Sequence, residues 1–141
     1  MKLSARTRYG IAALTYMHIN DQELTTLVNI AKHLNISKIY LEQVFSSLKQ
    51  ANLVDAVKGP AGGYYLKSNN CNMLNILLAL EPSLFEKTPP STDDDVINRV
   101  LCTHLYTPLD QSIRERLEAI RLKDIAEIIK SESGDAIMYY I

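Results

Sequence analysis

The sequence predicts a mainly α fold with one small β-hairpin, on three observations. Apolar residues recur at helical spacing along most of the 141-residue chain. One segment, LVDAVKGPAGGYYLK at 53–67, breaks that pattern: two short strand-forming runs flank a turn rich in glycine, with no room for a crossover helix. From Ile97 onward a long apolar stripe at steps of four extends past a compact N-terminal module.

Length and composition narrow the classes. A chain of 141 residues suits one domain, or a small domain with a helical arm. With 47% hydrophobic and 22% charged residues, and no apolar run approaching the roughly 18–20 residues of a membrane span, it reads as soluble and globular. The opening MKLSARTRYG is basic but lacks the apolar stretch and small-residue cleavage site of a signal peptide, so a cytoplasmic location is expected by default. Two cysteines, Cys71 and Cys102, are too few for a disulfide framework and are read as reduced thiols. The net charge of −1 hides an asymmetry. Residues 1–70 carry eight Lys/Arg against four Asp/Glu, and residues 71–141 carry seven against twelve. A basic first half suggests a nucleic-acid partner, the plainer reading being ordinary surface charge.

Each element follows in order. Leu3, Tyr9, Ala12, Ala13, Tyr16, Met17 and Ile19 mark a first helix with Ser4 as its N-cap. After the polar break NDQE, Thr26 caps a short second helix ending near Leu34 and burying Leu27, Ile30, Ala31 and Leu34. Ser37 caps a third helix whose apolar face is Tyr40, Leu41, Val44, Phe45 and Leu48, leaving Glu42, Gln43, Ser46 and Lys49 outward. Two short helices joined by a tight turn, followed directly by a hairpin, form the pattern of a winged helix-turn-helix. The run MLNILLAL is a further short helix ending near Pro82. Residues 83–95, with two prolines and the DDD run, read as a linker or sensor loop. Leu101, Leu105, Leu109, Ile113, Leu117 and Ile120 continue the apolar stripe, which needs a partner helix; the same helix of a second copy is the economical choice. Thr107, Pro108 and Asp110 suit a kink or a fresh helix start within it. A last helix is expected near Lys123–Lys130, before the apolar tail AIMYYI. The expected organisation is a DNA-binding unit over 1–82, the linker over 83–95, and a dimerisation helix with a C-terminal helix and tail over 96–141.

The glycine-rich loop is not a phosphate-binding loop. GPAGGYYL lacks the lysine and hydroxyl of a P-loop and does not open a helix as a dinucleotide fingerprint does. Followed by Tyr64, Tyr65 and Leu66, it reads as a hairpin tip, in which Gly59, Gly62 and Gly63 keep the turn narrow and Lys58 brings a cation. On the third helix, Glu42 can accept from a cytosine amino group and Gln43 can pair with an adenine edge, with Ser37, Lys38 and Tyr40 placed for phosphates. Cys102 and His104 are the only clustered metal-ligand candidates; a zinc or iron-sulfur site wants more donors, so no cofactor is predicted from them. The DDD run is read as a solvated helix N-terminus. No Ser/His/Asp or Cys/His nucleophile arrangement stands out, so no enzymatic activity is expected.

YLEQVFSSLKQANLV, KGPAGGYYL and the opening LSARTRYG together resemble the Rrf-two family of bacterial winged helix-turn-helix transcription regulators. The likeness extends through LLALEP and EAIRLKDIAEII, and so covers essentially the whole chain. It implies a homodimer held by the long C-terminal helix, with two winged modules reading a partly palindromic double-stranded operator as a repressor or activator. By matching positions it implies base contacts from Glu42 and Gln43 and a wing cation at Lys58, where the family often has arginine. Arg8, Gly59, Gly62, Gly63 and Tyr64 are expected DNA contacts as well, with Ser37, Lys38 and Tyr40. Asn52 stands where a glycine is usual, and asparagine tolerates the left-handed backbone. Ile39 stands where relatives tend to be polar. Cluster-binding relatives carry three cysteines where this chain has only Cys102, so the resemblance is to a cluster-free branch responding to a protein, a small ligand or thiol chemistry; the tail IMYYI resembles that of the family's cysteine-metabolism regulator. The rival reading is a dimeric adaptor or anti-regulator that keeps the fold with weak or no DNA binding.

Overall fold

The computed structural model describes residues 1–20, 24–87 and 95–138. The elements are α1 (Ala5–Asn20), α2 (Leu27–Leu34), α3 (Lys38–Gln50), β1 (Val54–Val57), β2 (Gly63–Leu66), α4 (Met73–Leu80), a 3-10 turn (Pro82–Phe85), α5 (Val96–Leu101), a π segment (Cys102–Tyr106), α6 (Thr107–Glu118) and α7 (Leu122–Met138). The fold is mainly helical with one two-stranded antiparallel hairpin, as the sequence predicts.

The helix starts sit where hydroxyl and amide side chains can accept orphan backbone N–H groups. Ser4 Oγ accepts from the Thr7 N–H at 3.2 Å, Thr26 Oγ1 from Asn29 at 3.2 Å, Ser37 Oγ from Tyr40 at 3.1 Å, and Asn72 Oδ1 from Asn75 at 3.0 Å. Two asparagines end helices: Asn35 (φ 55°) closes α2 and Asn52 (φ 59°) turns the chain from α3 toward β1. Both lie in the left-handed region, which asparagine tolerates better than most non-glycine residues.

One core joins the helix-turn-helix, the hairpin and the C-terminus. Leu14 of α1, Ile30 of α2, Leu41, Val44, Phe45 and Leu48 of α3, Val54 of β1 and Ile76 of α4 are fully buried together. At Gly10 an added Cβ would come within 2.3 Å of Leu80 Cδ1, so the glycine lets α4 lie directly against α1.

The C-terminal region departs from the expected separate arm. Helix α7 folds back onto α1: its Leu122 (0% exposed) belongs to the same core, Ile125 packs against that core, and Ala126 (1%) is buried. Backbone bonds lock the return: Met73 N–H donates to Ile120 O at 2.8 Å and Leu122 N–H to Cys71 O at 3.0 Å. The long apolar stripe therefore divides in two. Ile113 and Leu117 pack toward Leu74, Leu77 and Phe85, and Leu117 and Ile120 also meet the main core. Leu105 (49% exposed) and Leu109 (54%), with Ile97 (67%) and Val100 (47%), remain in solvent, and Leu101 is half-buried.

Pro108 produces neither a fresh start nor a cap at Thr107. The backbone stays helical through Thr107, whose N–H reaches five residues back to Cys102 O. This widened turn relieves the clash that a proline ring makes with the preceding turn, and α5 runs on into α6. Asp110 binds Arg114 at 2.8 Å on the same helix. The expected linker is partly ordered as well. Pro82–Phe85 forms the 3-10 turn, Phe85 is buried, and the Arg114 guanidinium lies 4.8 Å from its ring centroid. Asp95 caps α5 by accepting from Ile97 N–H at 3.0 Å; residues 88–94, including Asp93 and Asp94, lie outside the described residues. Helix α7 extends to Met138, beyond the expected Lys130, and 139–141 are likewise outside the description.

Because Leu122 is wholly enclosed, Leu122→Ala should destabilise the chain by about 3 kcal/mol through lost burial and a residual cavity. Urea unfolding followed by helical circular dichroism measures this, and a change within about 0.5 kcal/mol, the range of a surface substitution, would place α7 outside the cooperative core.

Candidate nucleic-acid interface

Helix α3 has one buried and one open face. Its buried residues are Leu41, Val44, Phe45 and Leu48; Ile39, Glu42, Gln43 and Ser46, spaced to share the opposite face, are exposed. Lys38 Nζ lies 3.7 Å from Glu42, both about half exposed, so the cation at the helix start is partly balanced from within the helix. Ser37 Oγ is used as an acceptor by the cap, which leaves its O–H free to donate outward. Tyr40 is half-buried and meets the Tyr9 ring edge to face at 6.0 Å. Arg8, the residue before Tyr9 on α1, is exposed.

The wing is held to this unit at Tyr64. Strands β1 and β2 pair antiparallel, with Val54 opposite Leu66 and Val57 opposite Gly63. Tyr64 exchanges both backbone hydrogen bonds with Thr25 at 2.8 Å each, making a short third pairing at the edge of the hairpin. The next residue, Thr26, is the cap of α2. On its other side the Tyr64 ring packs edge to face on Phe45 of α3 at 4.9 Å. The Thr25 pairing has a weak signal in the sequence, since one residue beside a polar break shows no alternation.

The tip chemistry explains the glycines. Gly59 has φ +111°, outside the range that side chains usually adopt. A Cβ on Gly62 would stand 2.0 Å from Val57 O, and one on Gly63 would stand 3.0 Å from Thr25 O. Gly62 N–H closes the turn onto Gly59 O at 3.0 Å, leaving Lys58 exposed at its base. Between wing and helices lies an open cleft of about 380 Å³, lined by Val28, Lys38, Glu42, Val57, Gly59 and Gly62 among others. The structure thus brings Lys38, Glu42, Gly59, Gly62, Gly63 and Tyr64 to one concave surface. Tyr64 and Gly63 are there through internal contacts, while Ser37, Gln43 and Lys58 are exposed on the flanking helix and turn. Ile39, at 72% exposure, stands on the same open face of α3 and was not among the expected contacts.

The cysteines are far from equivalent. Cys71 is buried, and burial pushes its thiol above the ordinary 9.0, a backbone hydrogen bond opposing this in part. Cys102 is half-buried at the start of the π segment, and His104 is exposed two residues on. Helical residues two apart project to different sides, so this pair does not converge on one ion. Among the described residues no group of three or more His, Cys, Asp or Glu is placed to hold a metal. The donors present do not fit an iron-sulfur cluster held within one chain.

A capped helix pair with a hairpin pinned beside the second helix defines a winged helix-turn-helix, a nucleic-acid-binding class. Comparison with known proteins agrees. Residues 3–128 match the Rrf2 family model, described as an iron-dependent transcriptional regulator. The chain belongs to this family of transcription regulators, the one the sequence resembles. The HTH-type transcriptional regulator CymR of Bacillus subtilis is 31% identical over 144 residues, spanning 100% of both chains. IscR of Vibrio vulnificus is 31% identical over 129 residues, 89% of this chain and 77% of that one. Among solved structures, CymR, the global cysteine regulator of B. subtilis, matches with TM-score 0.74 and 27% identity over 91% of this chain and 98% of that one. IscR of T. potens matches with TM-score 0.68 and 27% identity, over 92% and 88%.

Three outcomes follow from this geometry. Gly62→Ala should open the tip, seen as faster amide exchange at position 62 and at Tyr64 with helical content retained; unchanged exchange would show that the turn accommodates a methyl. Maleimide should label Cys102 well before Cys71. Because the folded Cys71 thiol ionises later than the unfolded one, its stabilising contribution is full below the ordinary 9.0 and lost as pH rises through the folded value. Cys71→Ala should remove that part of the alkaline decline, read from thermal midpoints across pH.

Proposed function

We propose that the chain acts as a homodimeric, sequence-specific, cluster-free DNA-binding regulator, with α3 in the major groove and the 58–64 wing in the minor groove. The observation that carries this reading is the shared orientation of the two elements: the open face of α3 and the wing tip flank one concave cleft, held there by the Tyr64 junction. Glu42 and Gln43 take the base-reading role, Ser37, Lys38, Tyr40 and Arg8 the phosphate role, and Lys58 the minor-groove cation. A lysine grips a narrow minor groove less firmly than arginine, since its ammonium is more strongly hydrated.

The dimer reading rests on the exposed apolar row Ile97, Val100, Leu105 and Leu109 on the α5–α6 helix, supported by the half-buried Leu101. Ile113, Leu117 and Ile120 contribute by fixing that helix to its own subunit. The chain divides accordingly: 1–82 carries the DNA-contacting surface, 83–95 the connection, and 96–120 the surface for a second copy, with α7 returning to brace α1. A cytoplasmic location goes with this role. The effector is a partner protein, a small ligand or a thiol-reactive species.

Binding to operator fragments, titrated against salt, should weaken as salt rises, log K falling by about 0.9 per tenfold increase in salt for each phosphate neutralised. Affinity independent of salt would sink the proposal. Gln43→Ala with Lys58→Ala should abolish operator binding while sedimentation still reports a dimer. Leu105→Asp with Leu109→Asp should give a folded monomer, and a persistent dimer would move the interface elsewhere.

A further inference from the structure

We propose that Ile39 is a specificity residue that reads the C5-methyl group of a thymine in each half-site. The inference rests on the DNA-binding orientation just proposed and adds a contact of different chemistry. Among the described residues only Met1 is a more exposed large hydrophobic than Ile39, at 93% against 72%. It packs into neither apolar cluster of the chain. As a β-branched residue it is also a mediocre helix former, so neither core packing nor helix propensity accounts for it.

Its position gives it a use. Ile39 is the second residue of α3, in the N-terminal turn of a recognition helix, whose side chains approach base edges. It heads the open face that continues through Glu42 and Gln43 one turn later and Ser46 beyond. The residues beside it are polar or charged, with Lys38 and Glu42 paired to each other at 3.7 Å, so an apolar knob stands within a polar surface. In the major groove a thymine presents one apolar group, its methyl, and apolar contact with that methyl distinguishes it from the other bases without a hydrogen bond. An isoleucine can make no hydrogen bond to a base or phosphate, so its contribution to recognition is this contact and the water it excludes. The exposed residue that weakens the case for DNA binding when polarity alone is considered becomes a reader once its place on the helix is known.

The test uses the full-length protein and a high-affinity duplex selected by it from random-sequence DNA. Each thymine is replaced singly by deoxyuridine, which removes the methyl and keeps every hydrogen-bonding group, and binding is followed by fluorescence anisotropy. At one thymine per half-site the wild type should lose about fourfold in affinity, the worth of one methyl buried at roughly 0.8 kcal/mol. Ile39→Ser, exposed and expected to keep the wild-type thermal midpoint, should bind the thymine and uracil duplexes equally. Equal sensitivity of wild type and Ile39→Ser at every thymine, or no sensitivity in the wild type, overturns the Ile39 assignment while leaving DNA binding intact. Failure to select any duplex overturns the proposed function and this assignment with it.

Discussion

The junction at Tyr64 is the constraint on which the rest of the interface depends. Its N–H and C=O are both spent on Thr25, and its ring is spent on Phe45. One residue therefore ties the hairpin to the strand-like approach of α2 and to the interior of α3. Two short strands alone are marginal in water, so the wing needs these outside attachments to hold a fixed direction. An aromatic pair of this geometry adds about 0.5–1.5 kcal/mol beyond area burial. Since Thr26 caps α2 immediately after Thr25 pairs with Tyr64, the same few residues set the hairpin's position and the start of the helix pair.

A second constraint is the return of α7 to α1. Burial of Leu122 puts the start of α7 in the same core as α3, so the α5–α6 helix is anchored at its far end to the winged module. Phe85 and Arg114 make a second anchorage between the end of α4 and α6. A perturbation of the α5–α6 helix has a packed route toward α1 and α3 through these contacts. The π segment at Cys102–Tyr106 is the irregular point on that route, with Cys102 at its first position.

The surface proposed to meet DNA is modest in charge. Lys38 is partly neutralised by Glu42, and the wing supplies a single lysine, Lys58. Such a surface draws a smaller share of its affinity from counterion release and depends more on shape and base-edge contacts. Buried Cys71, whose thiol stays protonated, belongs to the packing between α4 and the start of α7, whereas half-buried Cys102 lies where a reagent can approach it.

Local chemistry made much of the fold legible in the sequence. Ser4, Thr26 and Ser37 marked helix starts, Leu41, Val44, Phe45 and Leu48 marked the inner face of α3, and the strands around Gly59, Gly62 and Gly63 marked the hairpin. These features arise within a few residues of one another, through capping, helical periodicity and turn sterics. Glu42, Gln43 and Lys58 could be named as candidate contacts because the opposite face of a patterned helix and the base of a glycine turn are surface by construction. What needed the tertiary structure was long range: Thr25 meeting Tyr64, Leu122 reaching the core, and the apolar stripe dividing between Ile113, Leu117 and Ile120 inside and Leu105 and Leu109 outside. Periodicity says that a face is apolar and is silent on what covers it. The exposure of Ile39 is the same case in reverse, because one isoleucine beside polar neighbours reads as a departure from pattern until folding shows which surface it crowns.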